Sequence, residues 1–159
     1  MIYLEKMSVE EFPHYREIFI KDYGQELSEN YKYTLEAGLI RAEKEIDEDL
    51  PEGALTADNE LKTIILAGEH DNEIVGYLWF VKNKNGDSVF IYDFFIFKPF
   101  RSQGYGSLAL KELEKLSAQM DIKDIKLRVA YFNQRALKLY KALGFEITGI
   151  NMMKKLSPL

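Results

Sequence analysis

The stretch that decides the fold spans residues 93–106 and reads DFFIFKPFRSQGYG. An apolar, aromatic run is followed by Lys98, Arg101 and a loop with two glycines, and an amphipathic helix comes next. A strand–loop–helix turn of this kind presents unpaired backbone N–H groups and the positive end of the helix dipole to an anion. Since glycine has no Cβ, the backbone at Gly104 and Gly106 can approach a ligand closely. The stretch predicts a phosphate-binding loop.

The same loop also fits a dinucleotide-binding fingerprint. Gly104, Gly106 and Ala109 match G-x-G-x-x-G/A, and Asp124 follows about twenty residues after the first glycine, as that fingerprint requires. The fingerprint, however, places its acid at the end of the next strand, whereas Asp124 precedes the strand predicted over Ile125–Val129. Taken alone, the loop leaves three interpretations open: a turn that only begins a helix, an acyl-CoA site, and a dinucleotide site.

The pattern around the loop predicts an α/β fold. Strand-type runs alternate with helical stripes after the loop, which implies parallel pairing there, and hairpins precede it. We expect a single-domain mixed, splayed β-sheet with helices on both faces. The predicted elements are a strand at Ile2–Lys6, two helices within residues 8–50, a hairpin of Thr63–Ala67 and Ile74–Val81, a central strand at Val89–Phe97, a helix through Ala109, Leu113 and Leu116, a strand at Ile125–Val129, a helix at Arg135–Leu143 closed by Gly144, and one or two strands from Phe145 onward.

Composition narrows the function further. The chain has 159 residues, 47% hydrophobic and 30% charged, which suits one globular domain. It contains no cysteine and two histidines, so we expect no disulfide, no cysteine nucleophile and no metal site. The start Met1–Lys6 resembles neither a signal peptide nor a membrane span, which predicts a cytoplasmic protein. The net charge of −5 argues against nucleic acid as a partner.

Charge is distributed unevenly along the chain. Residues 1–60 carry 16 acidic and 6 basic side chains, whereas residues 61–159 carry 10 acidic and 15 basic ones. The asymmetry has two interpretations. The two halves are solvated faces of opposite sign, or the C-terminal half binds something anionic and the N-terminal half something cationic.

Two motifs in a fixed order resemble those of the GNAT superfamily of N-acetyltransferases. Arg101-x-x-Gly104-x-Gly106 is similar to its R/Q-x-x-G-x-G/A motif, and the segment from Asn133 to Phe145 is similar to N-x-x-A-x-x-L-Y-x-x-x-G-F. The resemblance covers residues 63–156. Ser102 stands where the family commonly has glycine, and residues 94–97 are more aromatic than usual.

The resemblance implies acetyl-CoA as co-substrate and direct transfer of its acetyl group to an amine, without an acyl-enzyme. It also implies a bulged strand at Phe95–Phe97 whose backbone pairs with the pantetheine arm. A single domain of residues 1–159 would hold the acceptor against residues 1–60 and acetyl-CoA against residues 63–156. A non-catalytic acyl-CoA sensor and a dinucleotide-binding oxidoreductase remain as alternatives. The residues expected to contact acetyl-CoA are Phe95, Ile96, Phe97, Arg101, Ser102, Gln103, Gly104, Tyr105, Gly106, Ser107 and Asn133.

Two side chains are candidates for the chemistry. The family's second motif implies that Tyr140 is the general acid toward the departing thiolate, although a tyrosine on an amphipathic helix is also a common core residue. Asp93 is the carboxylate within the aromatic strand, and it is a candidate base, a candidate anchor for a cationic amine, or a plain strand acid. Glu69 and Glu73 are weaker candidates, and Asn133 also suits a helix N-cap.

The acceptor cannot be named from the sequence. A protein N-terminus, a lysine, a polyamine, a drug or another metabolite all remain open, as does a homodimer. An alkyl amine with a pKa near 10.4 is neutral in only about one part in a thousand at pH 7, so a base or a carboxylate anchor is expected beside it.

Overall fold

The computed structural model describes residues 1–157, which form five strands and four α-helices. Short 3₁₀ turns lie at Gly53–Leu55 and Lys98–Phe100. The strands are β1 (Ile2–Lys6), β2 (Glu60–Leu66), β3 (Glu73–Lys82), β4 (Ser88–Ile96) and β5 (Asp124–Leu127), and the helices are α1 (Phe12–Tyr31), α2 (Leu35–Asp49), α3 (Tyr105–Gln119) and α4 (Gln134–Ala142).

The strands form one open, mixed sheet in the order β1-β2-β3-β4-β5. The first three pairs are antiparallel and β4 pairs with β5 in parallel, which confirms the predicted mixed sheet. β3 is the middle strand, and residues 75–80 within it are all buried. A continuous buried run is expected for a strand that is covered on both faces.

Helices cover both faces, as predicted. On one face α1 and α2 bring Tyr15, Phe19 and Ile46 against Tyr77 and Trp79 of β3. On the other face α3 contributes Ala109, Leu110 and Leu113 to a core with residues of β3 and β4. Burial of each such side chain stabilises the fold by about 1.5–3 kcal/mol, before the cost of ordering it. A hydrophobic core on each face therefore stabilises the sheet.

The two N-terminal helices meet backbone to backbone. A Cβ built on Gly38 would lie 2.2 Å from the carbonyl oxygen of Gly24, and one built on Gly24 would lie 2.9 Å from the Cα of Leu39. Only glycine permits this approach. α1 extends to Tyr31, well beyond its apolar stripe of Phe12, Tyr15, Phe19 and Tyr23, and this extension carries Glu26 and Glu29.

The bulge in β4 lies elsewhere than predicted. Pairing with β3 passes from Trp79 opposite Asp93 to Phe80 opposite Ile91, so Tyr92 is the extra residue. The expected bulge at Phe95–Phe97 is therefore wrong. The Tyr92 ring stacks on the Trp79 ring, with centroids 5.0 Å apart, and this contact stabilises the bulged residue against the sheet.

The strands expected from Phe145 onward are also wrong, because residues 145–157 form no strand. Gly149 interrupts the alternation and Lys154-Lys155 follows, and both weaken a strand. β5 has four residues and offers only a short ladder for a further strand. Ile147, Ile150 and Leu156 are accordingly exposed.

Candidate active site

A cleft opens where β4 and β5 separate. The two strands pair from Ser88 and Asp124 to Ile91 and Leu127, after which β4 continues to Ile96 without β5 beside it. The separation begins at the bulged Tyr92. The cleft has a volume of about 580 Å³, within the usual size of a small-molecule site, and residues of α1, β4, β5 and α4 line it.

The open edge of β4 presents backbone polar atoms. The N–H of Phe97 donates to Val75 O at 2.9 Å, and successive residues of a strand alternate, so the polar atoms of Ile96 point to the open side. The Arg101 side chain lies across this edge. Its Nε donates to Ile96 O at 2.7 Å, and its guanidinium carbon lies 5.1 Å from the Phe95 ring centroid. An extended ligand could pair with an edge of this kind.

The loop before α3 has the backbone expected of a glycine-rich turn. Gly104 has φ +85°, immediately before α3, and a Cβ built there would meet nothing within 4 Å. Ser102 also lies in the left-handed region, with φ 62°, which explains physically why glycine suits this position. The first N–H groups of α3 have no acceptor within the helix.

The Asp93 carboxylate faces the α1 side of the cleft. The Tyr15 hydroxyl donates to its Oδ2 at 2.8 Å. Burial raises the pKa of Asp93 to about 7, with a contribution from the negative charges of Asp22 and Glu26, whereas the Tyr15 hydrogen bond lowers it. A carboxylate with this pKa can both accept and release a proton near neutral pH.

Tyr140 lines the same cleft from α4. Its ring packs against the core on the α3 side of the sheet and meets Phe145 edge-on, with centroids 5.6 Å apart. Burial raises the pKa of Tyr140 above its ordinary value, and the charge of Asp93 raises it further. The phenol is therefore protonated throughout the neutral range.

The walls of the cleft differ in charge. Asp22, Glu26 and Glu29 project from α1, at a spacing that places them on one helix face, and burial raises the pKa of both Asp22 and Glu26. The basic side chains of the cleft come from the other segments: Lys98, Arg101, Arg128 and Arg135. Sequence reasoning did not single out these acids, although their helical spacing was readable.

The structure brings four of the predicted site residues into the cleft: Asp93, Arg101, Asn133 and Tyr140. Asn133 is also the N-cap of α4, because its side-chain oxygen accepts from Ala136 N at 3.2 Å. Phe95, Ile96, Phe97 and the loop residues Ser102, Gln103, Gly104, Tyr105, Gly106 and Ser107 lie next to the cleft in the chain and are not among its lining residues.

Three acidic residues named from the sequence lie elsewhere. Glu69 and Glu73 are exposed on the β2–β3 hairpin and do not line the cleft. Asp124 is the first residue of β5, at the wrong end of the strand for a dinucleotide fingerprint.

Comparison with known proteins gives a consistent result. The sequence matches the Acetyltransferase (GNAT) family over residues 13–145. It is 32% identical to the uncharacterized N-acetyltransferase YycN of Bacillus subtilis (strain 168) over 157 residues, 98% of this chain and 99% of YycN. The chain belongs to the GNAT family of acetyltransferases. It is therefore an acyltransferase, which removes the oxidoreductase alternative.

Solved structures agree on the fold. The crystal structure of YycN superimposes with a TM-score of 0.90 over 99% of this chain and all of that one. The PaiA N-acetyltransferase of Thermoplasma acidophilum, solved in complex with coenzyme A, has a TM-score of 0.70 at 15% identity and covers 95% of this chain and 93% of its own. AAC(6')-Iy, in complex with the bisubstrate analog CoA-S-monomethyl-acetylneamine, has a TM-score of 0.61 at 16% identity and covers 99% of both chains.

None of the helices within residues 1–157 combines the length and the apolar character that crossing a bilayer requires.

Proposed function

We propose that the protein transfers the acetyl group of acetyl-CoA to a cationic primary amine, in the cleft between β4 and β5. One observation carries the proposal. A single cleft contains a carboxylate poised near neutral pH, Asp93, and a protonated phenol, Tyr140, between an acidic and a basic wall. Both reactants carry charge, and each wall complements one of them.

Acetyl-CoA would bind on the basic side. The segment Phe95–Phe97, whose Ile96 presents its backbone polar atoms to the open side, suits the pantetheine arm. The loop from Arg101 to Ser107 suits the pyrophosphate. The space around Gly104 leaves the loop backbone accessible, and Lys98 supplies further positive charge. Asn133 lies at the start of α4, on the same cleft. PaiA, which shares the fold, was solved with coenzyme A.

The acceptor would bind on the α1 side. Asp22, Glu26 and Glu29 attract an ammonium group and hold it over Asp93. In this proposal residues 1–60 form the acceptor side and residues 63–156 the acetyl-CoA side of one catalytic domain. AAC(6')-Iy, which shares the fold, was solved with the bisubstrate analog CoA-S-monomethyl-acetylneamine, which supports an amine acceptor beside coenzyme A in this proposal.

The reaction proceeds in one addition and one elimination. The bound ammonium first loses one proton to solvent. The neutral amine nitrogen then attacks the thioester carbonyl carbon, and Asp93 accepts the second proton that the nitrogen loses. The carbon–sulfur bond then breaks, and Tyr140 donates its proton to the leaving thiolate. Asp93 returns its proton to Tyr140 through solvent, so the enzyme is restored. A backbone N–H on the open edge of β4 stabilises the carbonyl oxygen as its charge develops. A positioned base of this kind is worth about 10²–10⁴ in rate.

Thiol release from acetyl-CoA with a panel of amines tests the proposal. We expect turnover with diamines, polyamines or amino sugars and none with their fully acetylated forms, together with a rise in Tm on adding acetyl-CoA and none with NAD(H). Tight binding of acetyl-CoA without turnover on any amine would instead establish an acyl-CoA sensor. A preference for uncharged aryl amines over alkyl amines would contradict the role of the acidic wall.

A further inference from the structure

We propose that Tyr15 is a positioning residue for the catalytic carboxylate: its buried hydroxyl fixes the orientation of Asp93 and stabilises its ionised form. The inference rests on the proposed function, in which Asp93 accepts the proton of the amine. It adds a residue of α1 that no sequence motif marks and that is not among the lining residues of the cleft.

Tyr15 is held rigidly. The side chain is fully buried in the core between α1 and β3, with 0% of its surface exposed. Its ring centroid lies 5.0 Å from that of Tyr77 and 6.2 Å from that of Phe19. A buried phenol needs a partner for its hydroxyl, and Asp93 Oδ2, at 2.8 Å, is that partner. The direction of the hydrogen bond is therefore set by packing.

The bulge brings the carboxylate to this hydroxyl. With Tyr92 as the extra residue, Asp93 lies opposite Trp79, on the face that α1 covers. A regular ladder would place Asp93 opposite Leu78, which belongs to the core on the other face. Bulge and hydroxyl together specify one orientation of the carboxylate, although Tyr15 and Asp93 are 78 residues apart in the sequence.

The surroundings of Asp93 otherwise favour its neutral form. Burial and the negative charges of Asp22 and Glu26 raise its pKa, whereas the hydrogen bonds from the Tyr15 hydroxyl and the Phe94 backbone lower it. The hydroxyl donates to the ionised carboxylate, so its removal favours protonation. The titratable and charged groups around the carboxylate come from every element at the cleft: Tyr15, Asp22, Glu26 and Glu29 of α1, Lys98 and Arg101 after β4, Arg128 after β5, and Arg135 and Tyr140 of α4.

The test is the pH dependence of kcat in Tyr15→Phe, measured on the same acceptor as the wild type. The ring and its packing stay, and one hydrogen bond to a charged group is lost. We expect the acidic limb of the profile to move up by about one pH unit. The ionisation of the acceptor contributes equally to the profiles of the wild type and of Tyr15→Phe, so it cancels in the difference between them. Tyr77→Phe is the matched control. That residue is a buried tyrosine of the same cluster whose hydroxyl contacts Glu11 and His14, and its limb should stay in place.

Asp93→Asn, measured in parallel, separates this inference from the proposed function. Full turnover of Asp93→Asn at neutral pH would overturn the assignment of Asp93 as base. If Asp93→Asn is impaired but Tyr15→Phe loses activity equally at every pH, the role of Tyr15 is structural and the inference is wrong. If Tyr15→Phe does not fold, a fluorinated tyrosine at position 15 replaces it. This stronger donor should move the acidic limb down, and an unmoved or raised limb would overturn the inference.

Discussion

The two walls of the cleft are built differently. The acidic wall is α1, which packs against α2 and the sheet with Tyr15, Phe19 and Leu27 buried. The basic wall comes largely from the loop after β4, a four-residue strand and α4, which has no fully buried residue. The acidic wall is thus part of the folded core, whereas the basic wall is only lightly anchored. Substitutions on the first wall test stability as well as binding, and those on the second test mainly binding and chemistry.

The largest effect is expected on the lightly anchored wall, from Tyr140→Phe. The ring and its contact with Phe145 remain, but the proton for the thiolate is lost. We expect kcat to fall by roughly 10²-fold. The Kd of acetyl-CoA, measured by calorimetry, should barely change because the loop proposed to bind the pyrophosphate is untouched. A folded variant with full turnover across the neutral range would show that α4 supplies no proton donor.

Asp93→Asn tests how the carboxylate in the cleft affects the free energy of unfolding. The pKa of Asp93 rises from 3.8 to about 7 on folding, so the native state binds the proton more tightly than the unfolded state between these values. Stability attributable to Asp93 therefore falls as pH rises through that window. We expect the variant to be more stable than the wild type by about 4 kcal/mol above pH 7, with the difference vanishing toward pH 4. Urea unfolding at several pH values measures this, and a difference that grows toward acid pH would have the wrong sign.

Removing the charges from one wall at a time tests whether the acidic wall binds the acceptor and the basic wall binds acetyl-CoA. In the double variant Asp22→Asn with Glu26→Gln, the acceptor KM should rise about tenfold, and the KM of acetyl-CoA should hold. Lys98→Gln with Arg135→Gln is the matched experiment on the opposite wall. In that variant the KM of acetyl-CoA should rise, and the acceptor KM should hold. Both effects should weaken at high salt. Equal changes in the two constants in either variant would mean that the walls do not separate the substrates.

The smallest effect concerns the backbone of the loop. Ser102 and Gly104 both have left-handed φ values, but only one of them is glycine. We expect Ser102→Gly to stabilise the fold by about 0.5 kcal/mol and Gly104→Ala to destabilise it by about 1 kcal/mol. Denaturant unfolding of the two variants checks both signs. A stabilising Gly104→Ala would mean that the loop does not hold this backbone in solution.

Local signals predicted much of this molecule. The alternation of the hairpin, the loop before α3 and the Asn133 cap are encoded by neighbouring residues, and each lies where the sequence indicates. The family motif pointed to Tyr140, which lines the cleft. The failures depend on distant partners. The position of the bulge follows from the register between β3 and β4, and the expected C-terminal strands required a ladder that β5 is too short to offer.

The candidate site shows the same limit. Asp93 stood out as the acid in an aromatic strand, but its contact with Tyr15 depends on the packing of α1 over the sheet. From the sequence, Tyr15 is one member of an apolar stripe. The acids at positions 22, 26 and 29 share a helix face, yet no local pattern says that this face borders a cleft.

The bulge at Tyr92 also changes the parity of β4. Before it, the odd-numbered Val89 and Ile91 belong to the core on the α3 side, and after it the even-numbered Phe94 and Ile96 do. Tyr92 and Asp93 therefore share the opposite side, where one stacks on Trp79 and the other accepts from Tyr15. In an alignment of relatives, an acidic residue in this strand is structurally equivalent to Asp93 only if the relative has the same bulge one residue before it. The distance from the bulge is therefore a better guide to equivalence than the identity of the neighbouring residues.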